Sequence, residues 1–335
     1  MDMFSTQVML GVVGNLKRLR NGLLSAFFAA VVNSTEETIA FDVDEGKRQM
    51  APFVSPLVQS KVKKMRGQKV KSFQPAYIKQ KARFNPQRAL KRAMGEGFGT
   101  PLTPQQRQQA ALSAELQDQI DYIDRRLEWM AVMGLKNSQI VVEGEDYPAV
   151  TVDFARDASL SGIAPGTLWT AAGAKPLDDL EKWSNLSVKA SGSTTPRIVM
   201  DVDAWQAFRE NSSVQKRLEL IKFDAGRIRI DELQEEGLVL RGMVDGFLIY
   251  TYAAWYLDDA GVEQPMLASG EVIGVGAIEG TQYFGAIQDL DSLQAVSVFP
   301  KSWIDQDPSA RWIQTQSAPL VVPKRINASW KADVN

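Results

Sequence analysis

Between Lys47 and Gly95 the chain carries fourteen Lys or Arg residues and not one Asp or Glu. Such a tract cannot form a core, because unpaired cations are costly to take out of water. It must stay solvated or lie on a surface that supplies negative charge. The rest of the 335-residue chain holds 24 of the 38 bases against all 40 acids, a balance of −16, so the acids lie elsewhere in the same molecule.

Within the tract, Val54, Val58, Val62, Val70, Phe73, Tyr77 and Ile78 supply β-branched and aromatic residues. Arg66-Gly67-Gln68 forms a turn centre, and Pro56 and Pro75 mark the ends. The pattern predicts two antiparallel strands, at 57–65 and 69–79, in one long hairpin. A two-stranded ribbon has no core of its own and is marginal in water. The residues expected to touch a supporting surface are Lys61, Val62, Lys63, Lys64, Arg66, Lys69, Val70, Lys71 and Phe73. Exposed ion pairs are worth only ~0.2–1 kcal/mol each, so the cations set register while Val62, Val70 and Phe73 supply more of the holding energy.

A complementary surface lies downstream. Thr103, Pro104 and Gln106 form a helix start signal, and the helix is expected to stop at Gly134, a rod about 45 Å long. Leu112, Leu116, Ile120, Ile123 and Leu127 share one side, and Glu115, Asp118, Asp121, Asp124 and Glu128 are expected on the other.

Further on, a β-hairpin is expected at Gln139–Val142 and Val150–Phe154, then a loop or hinge over Asp157–Ala174. Helices follow at Pro176–Ala190, Asp203–Asn211 and Val214–Phe223, with a strand at Arg197–Met200. From Gly237 strands dominate: Leu238–Met243, Phe247–Tyr252, Val272–Ala277, Thr281–Gln288 and Arg311–Val322. This order fits an α+β protein with a compact domain inserted between end segments that pair.

The chain has no His and no Cys, which excludes disulfides, thiolate or imidazole zinc sites, Ser-His-Asp triads and Cys nucleophiles. Gly274–Gly280 (GVGAIEG) has the wrong glycine spacing for a dinucleotide loop, and Gly95–Gly99 (GEGFG) lacks a phosphate-binding lysine and reads as a joint. Asp42/Asp44, Asp201/Asp203, Asp289/Asp291 and Asp305/Asp307 are acid pairs of a kind common at loop entries. The tryptophans read as core or interface anchors. No catalytic residue, cofactor or metal is expected. Lys17, Arg18 and Arg20 before the apolar run Gly22–Val32 imitate a secretion signal, but Val8–Val13 is apolar where the charged leader should be. The preferred reading is a short amphipathic helix bearing Leu16, Leu19, Leu23 and Phe27, and no membrane span.

Several blocks together resemble one family. FVSPLV (Phe53–Val58), FQPAYIK (Phe73–Lys79), NPQ (Asn85–Gln87), the helix from Thr103, IQD (Ile287–Asp289), FPKSW (Phe299–Trp303) and DPSARWIQTQSAPLV (Asp307–Val321) resemble the major capsid protein of lambda-like tailed phages. The resemblance covers both ends well, and 157–280 by element order. It implies the Hong Kong 97 capsid fold: an N-terminal arm at 1–39, an extended loop at 40–85, a peripheral domain from 86–174 and 281–335 with a spine helix at 103–134, and an axial domain at 175–280. It also implies self-assembly into hexamers and pentamers of an icosahedral head shell around double-stranded DNA, built in the host cytoplasm and retained in the virion. In that family the extended loop lies over the adjacent subunit. Implied partners are further copies of the chain, a separate scaffolding protein, a portal protein and a decoration protein whose use the residues leave open. No covalent crosslink is expected.

Two other readings compete. A nucleic-acid-binding protein would use the ribbon as an arm and bind free DNA with a steep salt dependence. A carboxylate-metal enzyme would lose magnesium-dependent turnover when one acid pair is changed.

Overall fold

The computed structural model describes residues 4–16, 22–36, 38–43, 69–73, 75, 77–84, 102–144, 147–221, 234–235, 237–258, 260–289, 296–307 and 310–335. Its longest element is the helix Pro104–Asn137. The local chemistry that starts it is present: Gln106 N–H donates to Thr103 Oγ1 at 3.3 Å, and Thr103 N–H donates to Gln106 Oε1 at 2.9 Å. Leu116, Ile120 and Ile123 are fully buried, and Leu112 and Leu127 nearly so. Burial of each such side chain stabilises by roughly 1.5–3 kcal/mol. The helix runs past Gly134 and ends at Ser138, whose φ of 59° is left-handed. Gly134 is a packing position instead, since a Cβ there would touch the Phe154 ring at 3.5 Å.

A six-stranded sheet forms the second layer, in the order Ser329–Asp333, Glu271–Val275, Arg197–Met200, Phe247–Tyr252, Leu238–Val244, Gln234–Glu235. Arg197–Met200 is parallel to Phe247–Tyr252 and antiparallel to Glu271–Val275. Side chains alternate across it. Ile198 and Met200 meet Trp169, Leu180, Trp183 and Phe208 beneath the helices Pro176–Ser191 and Val202–Glu210, while Val199 joins the core around the long helix. Covered on both faces, Glu271–Val275 is buried along its whole length. Asp245 and Gly246, with φ of 48° and 83°, make the two-residue turn between Leu238–Val244 and Phe247–Tyr252.

Two three-stranded sheets complete the body. In one, Ala30–Asn33 runs parallel to Gly280–Phe284, which pairs antiparallel with Pro319–Pro323. In the other, Ala310–Ser317 lies between Phe299–Asp305 and Ile78–Phe84.

Several expectations change, among them the single strand at Arg311–Val322, which is two strands in different sheets, Ala310–Ser317 and Pro319–Pro323. The stretch 69–79 is not one strand: Lys69–Phe73 pairs with Ile39–Val43, and Ile78–Phe84 belongs to a different sheet. The proposed partner strand 57–65 lies outside the described residues. The final strand, Ser329–Asp333, joins the six-stranded sheet beside Glu271–Val275, where Trp330 fills the space that Gly274 leaves open. Asp157–Ala174 is a loop, as expected, and it is hydrogen-bonded to the C-terminal segment. Ile163 and Trp169 N–H donate to Lys331 and Val334 carbonyls at 3.0 and 2.9 Å, with Leu160 and Trp169 buried.

Two polar contacts tie the helix end to the sheet. Glu271, buried, meets Lys136 Nζ at 2.7 Å and Lys331 Nζ at 3.3 Å. Arg156, also buried, donates from Nη1 to Lys136 O at 3.3 Å, and from Nη2 to Leu135 O and to Ser329 Oγ at 3.0 Å. Its charge thereby sits on the negative end of the helix. Burial pulls the guanidinium down to about 9, so it still carries its charge at neutral pH.

Candidate assembly surface

The ladder between Ile39–Val43 and Lys69–Phe73 starts in the core and leads into the basic tract. At its first rung buried Ile39 faces Phe73, and at its last Val43 faces Lys69. Lys69, Val70, Lys71 and Phe73 therefore sit on an antiparallel strand as expected, with Ile39–Val43 as its partner. Lys61, Val62, Lys63, Lys64 and Arg66 lie outside the described residues.

The helix divides its five acids into two groups. Asp118 is exposed, while Glu115 and Asp121 are half-buried and accept from Gln119 Nε2 at 3.1 Å and Gln117 Nε2 at 2.6 Å. Asp124 and Glu128 are buried, at 3% and 4% exposure, which corrects the expectation that all five line an outer face. Periodicity assumes a single covered stripe. From Leu127 onward this helix is covered on several sides, with Met130, Ala131, Val132 and Leu135 all buried. That apolar run was the signal in the sequence for the change.

Glu128 has a specific task. Its Oε1 accepts from Leu23 N–H at 2.9 Å and Tyr252 Oη at 2.5 Å, and its Oε2 accepts from Leu24 N–H at 2.8 Å. The carboxylate thus caps the short helix Gly22–Phe27 from another element and holds the N-terminal segment to the body. Burial, then the neighbouring Glu128 charge and hydrogen bond, raises the Tyr252 phenol far above its ordinary value, so it stays a donor. Leu23 and Phe27 are buried on the helix Gly22–Phe27, but Leu16 has an extended backbone at the end of a separate helix, Thr6–Asn15, and Leu19 lies outside the described residues, which corrects the single amphipathic helix expected to bear all four.

Asp201, Asp203, Asp289 and Asp305 of the acid pairs serve local structure, while Asp44 and Asp291 lie outside the described residues. Asp201 caps Val202–Glu210 by accepting from Ala204 N–H at 2.8 Å and Asp203 N–H at 3.0 Å, and it also accepts from Gly270 N–H at 3.1 Å. Asp203 accepts from Ser269 Oγ at 2.6 Å. Asp289 meets Lys301 and Gln316, each at 2.9 Å, and Asp305 accepts from Trp312 Nε1 at 2.5 Å. Among the described residues no group of three or more acids could hold a metal ion, and no helix is long and apolar enough to cross a membrane. The glycines of GVGAIEG are explained by close approach: a Cβ at Gly274, Gly276 or Gly280 would run into Trp330, Thr194 O or Phe27 O.

Among the described residues the long helix carries an outer acidic patch on its first half, and several large apolar residues, Val141, Trp255 and Ile304 among them, are exposed. The chain is similar to several known proteins. A family model described as phage major capsid protein E matches residues 5–334. The major capsid proteins of Enterobacteria phage P21 and Escherichia phage lambda are each 28% identical, covering 96% of this chain and 96% of theirs. A crystal structure of the putative capsid protein of a prophage of Escherichia coli CFT073 is 20% identical, with a TM-score of 0.78 over 98% of this chain and 99% of that one.

Proposed function

The chain belongs to the phage major capsid protein E family, and from that premise we propose that its work is self-assembly into the hexamers and pentamers of an icosahedral head shell around phage DNA. It is a structural protein of the virion, its α+β architecture is the Hong Kong 97 capsid fold, and its binding partner is first of all itself.

The observation that carries the contact model is the ladder at Ile39–Val43 and Lys69–Phe73, which is rooted in the core and opens into a tract without a single acid. In this reading 40–85 is the extended loop, and it lies on the outer acids Glu115, Asp118 and Asp121 of the next copy. Asp124 and Glu128 take no part, being buried within their own subunit. The long helix is the spine of a peripheral domain, and the six-stranded sheet is the heart of the axial domain. Many interfaces, each beyond ~2,000 Å², share the load. Assembly takes place in the host cytoplasm, with a separate scaffolding protein and a portal, and a decoration protein is compatible with it. The reading supplies no catalytic step.

Reversing charge at Lys61, Lys63, Lys64, Lys69 and Lys71 together tests it. Electron microscopy of protein expressed with its scaffold should show folded subunits and no shells. Normal shells from this variant would overturn the electrostatic contact. Tight, salt-sensitive binding of free DNA by wild-type subunits would favour the nucleic-acid reading instead.

A further inference from the structure

The sheet Phe299–Asp305, Ala310–Ser317, Ile78–Phe84 has a second face that the long helix does not cover. Register places Trp303, Trp312 and Arg83 in one row across it. The two indoles stack with centroids 6.4 Å apart, and Lys81 Nζ stands 5.2 Å above Trp312. Lys79, Lys81 and Arg83, at alternate positions of one strand, are all exposed. None of the three forms an ion pair with a described carboxylate, whereas Lys301 nearby is matched by Asp289 at 2.9 Å. Asp305 is the acid at the corner of this face, and it is engaged by the Trp312 indole N–H.

Three unmatched cations around half-exposed indoles call for a partner with carboxylates and some apolar surface. Trp, Tyr and Arg are the residues that dominate protein interfaces. The backbone of duplex DNA would satisfy the cations but leave the indoles with nothing to cover them, since its bases are already stacked. The same chain carries a matching element. The hairpin Gln139–Gly144 and Tyr147–Asp153 is a two-stranded sheet, with no third strand among the described residues. Its outward face exposes Glu143, Asp153 and, at 41%, Val141. A lone hairpin gains from being covered.

We infer that the hairpin Gln139–Asp153 of one copy seats on the Lys81, Arg83, Trp312 face of another copy, forming a second lattice contact separate from that of the extended loop. This rests on the shell reading above.

Because the chain contains no cysteine, an engineered pair reports proximity cleanly. Arg83→Cys and Glu143→Cys are placed together in one chain, and the protein is oxidised before and after assembly. Covalently linked multimers should form in shells and not in free subunits. In parallel, Lys81→Glu with Arg83→Glu should lower shell yield at least tenfold while leaving the subunit folded by circular dichroism. Adding Glu143→Lys with Asp153→Lys should restore much of it. Normal shells from the Lys81→Glu, Arg83→Glu variant, with no crosslink in the cysteine pair, overturn this contact and leave the shell reading intact. Normal shells combined with loss of binding to linear DNA overturn it in favour of nucleic acid. Failure of the wild-type protein to form particles with its scaffold would sink the shell reading itself, and this contact with it.

Discussion

Gly274 faces Trp330 across the antiparallel ladder of Glu271–Val275 and Ser329–Asp333, and a Cβ on Gly274 would lie inside the indole ring. Trp330 is fully buried, donates from Nε1 to Thr195 Oγ1 at 2.9 Å, and stands edge-on to Trp183 at 5.1 Å. The indole is fixed from three directions and cannot yield to an added methyl group.

Gly274→Ala is therefore expected to destabilise the subunit by about 1–3 kcal/mol or more, the range for overpacking a tight core. Trp330→Leu in the same chain should cost less than the sum of the two single changes, because the smaller side chain vacates the space the methyl needs. Urea unfolding followed by circular dichroism measures all three. Strict additivity would refute the packing account.

Loosening the N-terminal segment should follow from changes at Glu128. Tyr252→Phe removes one hydrogen bond to a charged group, a loss of about 1.5–3 kcal/mol. Glu128→Ala should cost more, since it strands the Leu23 and Leu24 N–H groups as well. Limited proteolysis around Gly22 is the readout, with faster cleavage in Glu128→Ala than in wild type. Unchanged cleavage would show that the clasp holds nothing.

Arg156→Ala should cost about 2–4 kcal/mol, combining lost dipole compensation with unsatisfied carbonyls at Leu135 and Lys136. Arg156→Lys should recover only part of this, because an ammonium cannot reproduce the fork that spans two carbonyls and Ser329 Oγ. Amide exchange should accelerate first in the last turn of the long helix. Exchange that quickens uniformly along Pro104–Asn137 would contradict it.

Burial raises the carboxyls of Asp179 and Asp201 above their ordinary value, outweighing the Trp169 bond at the first and the Ala204, Asp203 and Gly270 N–H bonds at the second. A raised acid stabilises the fold below its ordinary value and loses that contribution as pH climbs through the folded value. The melting temperature of wild type minus that of Asp201→Asn should thus be larger near pH 4 than at pH 7. Asp157 runs the other way. The Ser159 N–H and hydroxyl hold it low, so its contribution is present above the ordinary value and fades only as pH falls through the depressed one. A difference for Asp201→Asn that grows with pH would reverse the assignment.

Elements were legible in the sequence wherever one short stretch carries its own instructions. Thr103, Pro104 and Gln106 start the long helix by themselves, and the short apolar runs rich in β-branched and aromatic residues at Arg197–Met200 and Phe247–Tyr252 mark strands without outside help. Gly134 misled because glycine is a stop signal only where the left-handed conformation is used, and here Ser138 adopts it. Asp124 and Glu128 misled because helical periodicity is blind to a second covering element. The Glu128 partner Leu23 lies 105 residues away, and no local pattern encodes that.

By itself the sequence determined the long helix and most of the elements after it, the segregation of charge, the absence of imidazole and thiol chemistry, and the resemblance to a shell-forming family. These depend on neighbours within a turn or two, or on simple counts. Tertiary structure alone decided that Lys69–Phe73 pairs with Ile39–Val43, that Ser329–Asp333 closes the six-stranded sheet, and that two of five acids turn inward. Strand partners and covered flanks are chosen by competition among distant segments for the same backbone groups and apolar surface, a choice made only when the whole chain packs.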